Sequence, residues 1–214
     1  MNTGELKKAY QLRKKEISGR LSDFEKLKNA REQRIFEELV FCLLTPGANA
    51  ENCKNIIVRL KKKGLLFKSN EEDLWPFLKY ARFYKQKSGR LLAAREIFSS
   101  GERIKIKEKV FRDDPLVVRD WLVKHVSGLG YKEASHFLRN VGLGKDLAIL
   151  DRHILRRLKS CGILKEVPKS LTPKRYLEIE EKMRLFFKQV KIPLDHLDLL
   201  FFSMATGKPI KECK

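Results

Sequence analysis

An all-α fold is predicted by three observations. Apolar residues recur with a period near 3.6 in almost every segment, no stretch alternates as a strand does, and Gly and Pro divide the chain into helix-sized pieces. Ile35, Phe36, Leu39, Val40 and Leu43 form the first clear stripe. Cys53, Ile56, Ile57 and Leu60 form the second, Leu74, Trp75 and Leu78 the third, and Leu91, Leu92 and Phe98 the fourth. Pro46-Gly47, Gly64 and Gly101 separate them. Asp113 or Asp114 can cap the next helix, Pro115 suits its opening turn, and Val117, Val118, Trp121 and Leu122 are placed on one face.

Val126 to Asn140 is the most informative stretch. Glycines alternate at Gly128 and Gly130, where the chain is expected to turn tightly, because only Gly takes positive φ at little steric cost. Ala134, Phe137, Leu138 and Val141 then follow at helical spacing until Gly142 stops the run. Lys132 therefore falls in the first turn of a helix, where the dipole disfavours an ammonium and a neutral amine could serve as a nucleophile. The amides near Gly128 and Gly130 would suit a phosphate. Ala148 to Leu150 reads as an extended apolar segment that meets Asp151, an N-cap for the helix beyond. Thr172 with Pro173 opens a late helix whose buried face holds Tyr176, Met183, Phe186, Phe187 and Val190, and a last helix carries Leu197, Leu200 and Phe201 up to Gly207.

Composition narrows the function. The 214 residues can bury a sizeable core in one domain or two closely packed lobes. Lys plus Arg number 47 against 27 Asp plus Glu, a formal charge of +20, which favours a polyanionic partner although basic surfaces also serve solubility. No apolar run reaches the roughly 20 residues that cross a bilayer, and Met1 to Arg20 is charged rather than signal-like, so a cytoplasmic protein is expected, associated with the nucleoid through DNA. Cys42, Cys53, Cys161 and Cys213 are too dispersed for a zinc site or a disulfide framework.

The Gly128-Leu-Gly130-Tyr-Lys132 hairpin, followed nineteen positions later by Asp151, resembles the helix-hairpin-helix DNA glycosylases. With Ile149-Leu-Asp-Arg-His153, Leu43 to Pro46 and the Thr206-Gly-Lys208 tail, the chain is similar over nearly its whole length to the prokaryotic type-2 8-oxoguanine DNA glycosylase/lyases. That resemblance implies a two-lobed helix-hairpin-helix fold, residues 35–148 forming one lobe and 1–34 with 149–214 the other, with duplex DNA in the cleft between them. It implies a monomer that acts on 8-oxoguanine or abasic sites, with no cofactor and no metal. The superfamily's iron-sulfur members carry four clustered cysteines near the C-terminus, which are missing here, so no cluster is expected.

The resemblance also implies roles. Lys132 would attack the sugar and Asp151 would stabilise the positive charge that develops there; without the family, the first reads as a surface charge and the second as a plain N-cap. Asn49, in the turn Thr45 to Asn49, matches the loop that fills the space left by a flipped nucleotide, or is part of a simple helix connection. Phe83 matches an aromatic that stacks on the flipped guanine, with Phe202 or Met204 as the opposing wall; residues of these types at helical spacing are also ordinary core. His153 is a phosphate contact or a structural histidine, and His136 reads the same way. The tail is a few residues longer than the shorter family tails, which leaves both Lys211 and Lys214 as readers of the oxidised base, or as a frayed basic end. A glycosylase for a different base and a non-catalytic hairpin module that only holds DNA backbone are the alternatives; the module has no use for Lys132 paired with Asp151.

Overall fold

The computed structural model describes residues 2–207 and residue 210, and these form an all-α protein. They fall into two compact units: residues 29–137, and residues up to Lys28 together with those from Leu138 onward. These units divide the chain at 28/29 and 137/138, whereas the lobes that the family resemblance implies divide it at 34/35 and 148/149. At the second boundary Arg139, Asp146, Ala148 and Leu150 are bonded to Asp198, Arg184, Glu180 and Tyr176 respectively, all in the C-terminal part of the chain.

In the central unit α2 (Glu32–Leu44) packs against α3 (Ala50–Lys62) and α5 (Tyr84–Phe98), and α4 (Glu71–Leu78) packs on α3 and α5. The long helix α1 (Thr3–Lys26), which precedes them in the chain, belongs to the other unit. Ile35, Phe36, Leu39, Val40 and Leu43 are fully buried, as the α2 stripe predicts. Asn70 caps α4 in a reciprocal box with Asp73, and Asn49 caps α3. A two-residue hairpin, β1 (Ser99–Ser100) with β2 (Arg103–Ile104), follows α5. It escapes the sequence pattern because two residues are too few for alternation to register. A single turn, α6 (Lys107–Val110), leads to α7 (Pro115–His125), capped by Asp114 with Pro115 at its first position. On α7 the expected face is partly wrong: Val118 and Leu122 are buried, but Val117 is 57% exposed, one position off the seam.

α8 (Tyr131–Asn140) starts in the central unit and ends in the other. Its stop is a Schellman turn: Leu143 N–H donates to the Leu138 carbonyl at 2.8 Å and Gly142 N–H to Arg139 at 3.0 Å. Gly142 takes φ 81°, and a Cβ there would lie 2.9 Å from the Glu25 Cα of α1, so glycine is required both by conformation and by the approach of α1. α1 is capped by an Asn2–Glu5 box and buries Leu6, Tyr10, Ile17 and Phe24. α9 (Arg152–Ser160), α10 (Pro173–Val190) and α11 (Leu194–Thr206) complete this unit, α11 lying against α1, α9 and α10. On α10, Tyr176, Met183 and Val190 are buried as expected, whereas Phe186 and Phe187 are half-buried. No helix among the described residues is long and apolar enough to cross a membrane.

Candidate active site

α7, the turn after it and α8 form a helix-hairpin-helix. Val126 ends α7 in an extended conformation and accepts a bond from the Leu129 amide at 3.1 Å, closing the turn. Gly128 sits at φ 91°, as the sequence requires. Gly130 does not: its φ is not positive, and a Cβ there would meet the Glu133 carboxylate at an ordinary 3.5 Å, so backbone strain in the free protein does not explain this second glycine. Buried Arg119 locks the two helices, donating to the Ser135 hydroxyl at 3.3 Å and lying 5.1 Å from the Tyr131 ring centre. Half-buried His136 meets Phe41 of α2 edge-on at 6.0 Å, a packing contact.

The first intrahelical bond of α8 is donated by Ala134 to Gly130, so the amides of Tyr131, Lys132 and Glu133 belong to the first turn, ahead of the ladder. Lys132 lies among them with its side chain 30% exposed and its Nζ 3.3 Å from the Glu133 carboxylate. Glu133, whose side chain is 18% exposed, is a neighbour that the sequence reading did not single out. Proximity in sequence could have suggested it; the folding-back of its carboxylate could not.

Two other expected residues share the central unit. Phe83 is 54% exposed, stands in left-handed backbone at φ 60°, and begins α5. For a bulky aromatic this conformation costs on the order of 1–3 kcal/mol, and such strain collects at ligand clamps. Arg82 lies 4.6 Å from its ring centre, and the stem of the same arginine lies 3.7 Å from where a Cβ on Gly47 would be. The Thr45–Asn49 turn and Phe83 are thus neighbours. A buried lysine joins them: Lys87 Nζ donates to the Leu44 carbonyl at 2.6 Å and to the Pro46 carbonyl at 2.9 Å, while its amide donates to the Phe83 carbonyl at 3.0 Å. Burial pushes the Lys87 ammonium down from its ordinary value and the adjacent Cys53 thiol up. Lys87 is in step with the buried Leu91, Ala94 and Phe98, and a lysine on an apolar helical face is the signal that could have revealed it. Asn49 is exposed and its Oδ1 accepts from the Glu51 and Asn52 amides at 2.8 and 3.3 Å, so that oxygen is occupied in capping α3.

The remaining expected residues lie in the other unit. Asp151 Oδ1 accepts from the Ile154 amide at 2.8 Å, an N-cap as predicted, with the backbone extended at φ −86° and ψ 177°. The irregular segment that delivers it is held on three bonds. Ala148 N–H donates to Glu180 at 2.8 Å, Leu150 N–H donates to the Tyr176 hydroxyl at 3.3 Å, and that hydroxyl donates to the Ala148 carbonyl at 2.6 Å. Nothing in the sequence pattern links α10 to this segment. His153 is exposed on α9; Phe202 is 46% exposed on α11 and Met204 half-buried, its carbonyl accepting from Arg157 at 2.9 Å. Lys211 and Lys214 lie outside the described residues.

A helix-hairpin-helix with a lysine in its second helix's first turn and a helix-capping Asp beyond it defines a class of DNA glycosylase, and comparison with known proteins gives the family. The family profile described as 8-oxoguanine DNA glycosylase matches residues 17–192. The 8-oxoguanine DNA glycosylase/AP lyase of Fusobacterium nucleatum is 44% identical over 95% of this chain and 94% of its own length. The crystal structure of the 8-oxoguanine DNA glycosylase of Thermotoga maritima matches with a TM-score of 0.84 at 32% identity, covering 98% of both chains. That of the Methanocaldococcus jannaschii glycosylase/lyase in complex with a 15mer DNA containing 8-oxoguanine matches with a TM-score of 0.83 at 36% identity, covering 96% of this chain and 99% of the other. The chain belongs to the 8-oxoguanine DNA glycosylase family.

Proposed function

We propose that this protein is a monomeric, cytoplasmic DNA repair enzyme that excises 8-oxoguanine from duplex DNA and cleaves the strand at the resulting or a preformed abasic site, without a cofactor. The observation that carries the reading is the placement of Lys132 in the first turn of the hairpin helix, beside amides that suit phosphate and within 3.3 Å of the Glu133 carboxylate. Membership of the family supports it, as does the 8-oxoguanine DNA bound by the Methanocaldococcus relative.

Lys132 Nζ attacks C1′ of the damaged nucleoside, and the electron pair of the glycosidic bond leaves with the base. Glu133 takes a proton from the Lys132 ammonium it pairs with, which frees the Nζ lone pair for the attack, and passes that proton to the departing base. The C1′–O4′ bond then breaks, O4′ taking one of the two protons left on nitrogen, and the resulting Schiff base acidifies C2′–H; Glu133, ionised again, takes that proton and the C3′–O bond breaks, expelling the 3′ phosphate and cutting the strand. Asp151, with one oxygen committed to capping α9, uses its carboxylate charge to stabilise the positive sugar as the base departs. Phe83 stacks on the flipped base, Phe202 or Met204 forms the opposing wall, Lys211 or Lys214 reads the oxidised edge, Asn49 contacts the orphaned partner, and Gly128, Gly130 and His153 meet phosphate. Labelled duplexes bearing 8-oxoguanine, uracil or an abasic site, incubated with the protein and then borohydride, test the reading. A trapped adduct on 8-oxoguanine and abasic duplexes is expected. Trapping on the uracil duplex but not the 8-oxoguanine duplex would overturn the substrate assignment.

A further inference from the structure

Gly128 has a neighbour that the reaction above does not use. A Cβ built on this glycine would lie 2.5 Å from Cδ, 2.9 Å from Nε and 3.3 Å from Cγ of Arg90 on α5. The stem of Arg90 therefore fills the space that a side chain at 128 would take, and its guanidinium begins at the hairpin. Sequence offers no sign of this, since 38 positions separate the two residues and one arginine among 47 basic side chains does not stand out.

We propose that Arg90 completes a phosphodiester subsite at the hairpin, pairing its guanidinium with the DNA phosphate held by the hairpin amides. The proposal rests on the DNA-binding reading above and adds a residue to it. Two features point to an anion. Arg90 is half-buried, and among the described residues no hydrogen bond or ion pair occupies its guanidinium. Lys87, three residues earlier on α5, is another cation: Arg90 helps to depress its ammonium, after the larger effect of burial. An arginine held against a glycine turn and beside a buried lysine is placed at an electrostatic disadvantage that a phosphate relieves. The amides supply directed donors and the guanidinium supplies charge, the combination that suits a phosphodiester better than either alone. A backbone phosphate is the source favoured by the net charge of +20.

The test is the salt dependence of binding to an undamaged duplex, measured for the wild type, Arg90→Met and Arg90→Lys. Met keeps the stem against Gly128 and removes the charge; Lys keeps the charge and loses the fork. Loss of one phosphate contact lowers the slope of log K against log salt by about 0.9, so between roughly 50 and 200 mM salt the Met variant should lose about threefold less affinity than the wild type does. The Lys variant should keep the wild-type slope with weaker binding. A role in packing alone predicts weaker or unchanged binding with the slope intact in both variants, and that result overturns the proposal. Borohydride trapping of the wild type on an abasic duplex in the same preparation separates the two levels. No wild-type adduct would fault the enzymatic reading itself, whereas a trapped wild type with an unaltered Arg90→Met slope faults Arg90 alone.

Discussion

Replacing Tyr176 with Phe deletes one oxygen atom and leaves the ring to pack as before. That oxygen is bonded at both ends of the segment that delivers Asp151, donating to Ala148 at 2.6 Å and accepting from Leu150 at 3.3 Å. Tyr176, Ala148 and Leu150 are all at most 2% exposed, so the carbonyl and amide released have no water to turn to. A buried polar group left without its partner costs about 1–3 kcal/mol, and the longer bond belongs at the low end, so the pair should cost about 2–4 kcal/mol. At about 2–4 °C per kcal/mol for a chain of this size, the thermal midpoint should fall by about 4–16 °C. Ala148 remains held by Glu180, so the segment should loosen rather than detach. Single-turnover excision of 8-oxoguanine, measured well below the lowered midpoint, should slow as Asp151 loses its fixed approach, while binding to undamaged duplex should hold. A midpoint within about a degree of wild type and an unchanged excision rate would refute the reasoning, because the bonds would then carry neither stability nor the position of Asp151.

Asp151→Asn should slow excision by orders of magnitude with little loss of stability, because Asn is also a competent N-cap; near-wild-type turnover in a single-turnover assay would leave Asp151 a purely structural residue. Gly128→Ala should destabilise the protein by about 1 kcal/mol or more, since a side chain at φ 91° is strained, whereas Gly130→Ala should leave the melting curve almost unchanged and weaken binding to all duplex sequences alike. Comparison of melting midpoints with affinities for two unrelated duplexes checks this, and equal destabilisation by both would contradict the geometry. Deleting residues 211–214 should impair excision of 8-oxoguanine selectively and spare cleavage of a preformed abasic site, which starts from an open aldehyde; equal slowing of both reactions would deny the tail a part in reading the base.

The helices were legible wherever one face repeats a strong signal. Asp114-Pro115, Asp151 and Thr172-Pro173 mark three N-termini, and Gly142 one C-terminus, because capping chemistry is local and written in adjacent residues. Lys132 and Asp151 stand as candidates on a family pattern and not on physics alone. What escaped was long-range. Tyr176 and Glu180 hold the segment before Asp151 from 26 and 32 positions away, and Arg90 fills the space over Gly128, through contacts that depend on helix packing. Lys87 was the one hidden residue with a readable sign, a charge standing in the apolar register of α5. Gly130 shows the opposite error, a glycine credited with a backbone strain that belongs to Gly128 alone.

The central claim is that the Lys132 amine forms the covalent bond to DNA, and the most direct measurement compares borohydride trapping by the wild type and Lys132→Gln on an 8-oxoguanine duplex and on an abasic duplex. Gln keeps the length of the chain and the helix turn but offers no nucleophilic amine. The wild type should yield a covalent adduct and a nicked strand with both substrates, and Lys132→Gln should yield neither while still binding duplex. Trapping or nicking by Lys132→Gln at the wild-type level would place the nucleophile elsewhere and contradict the account.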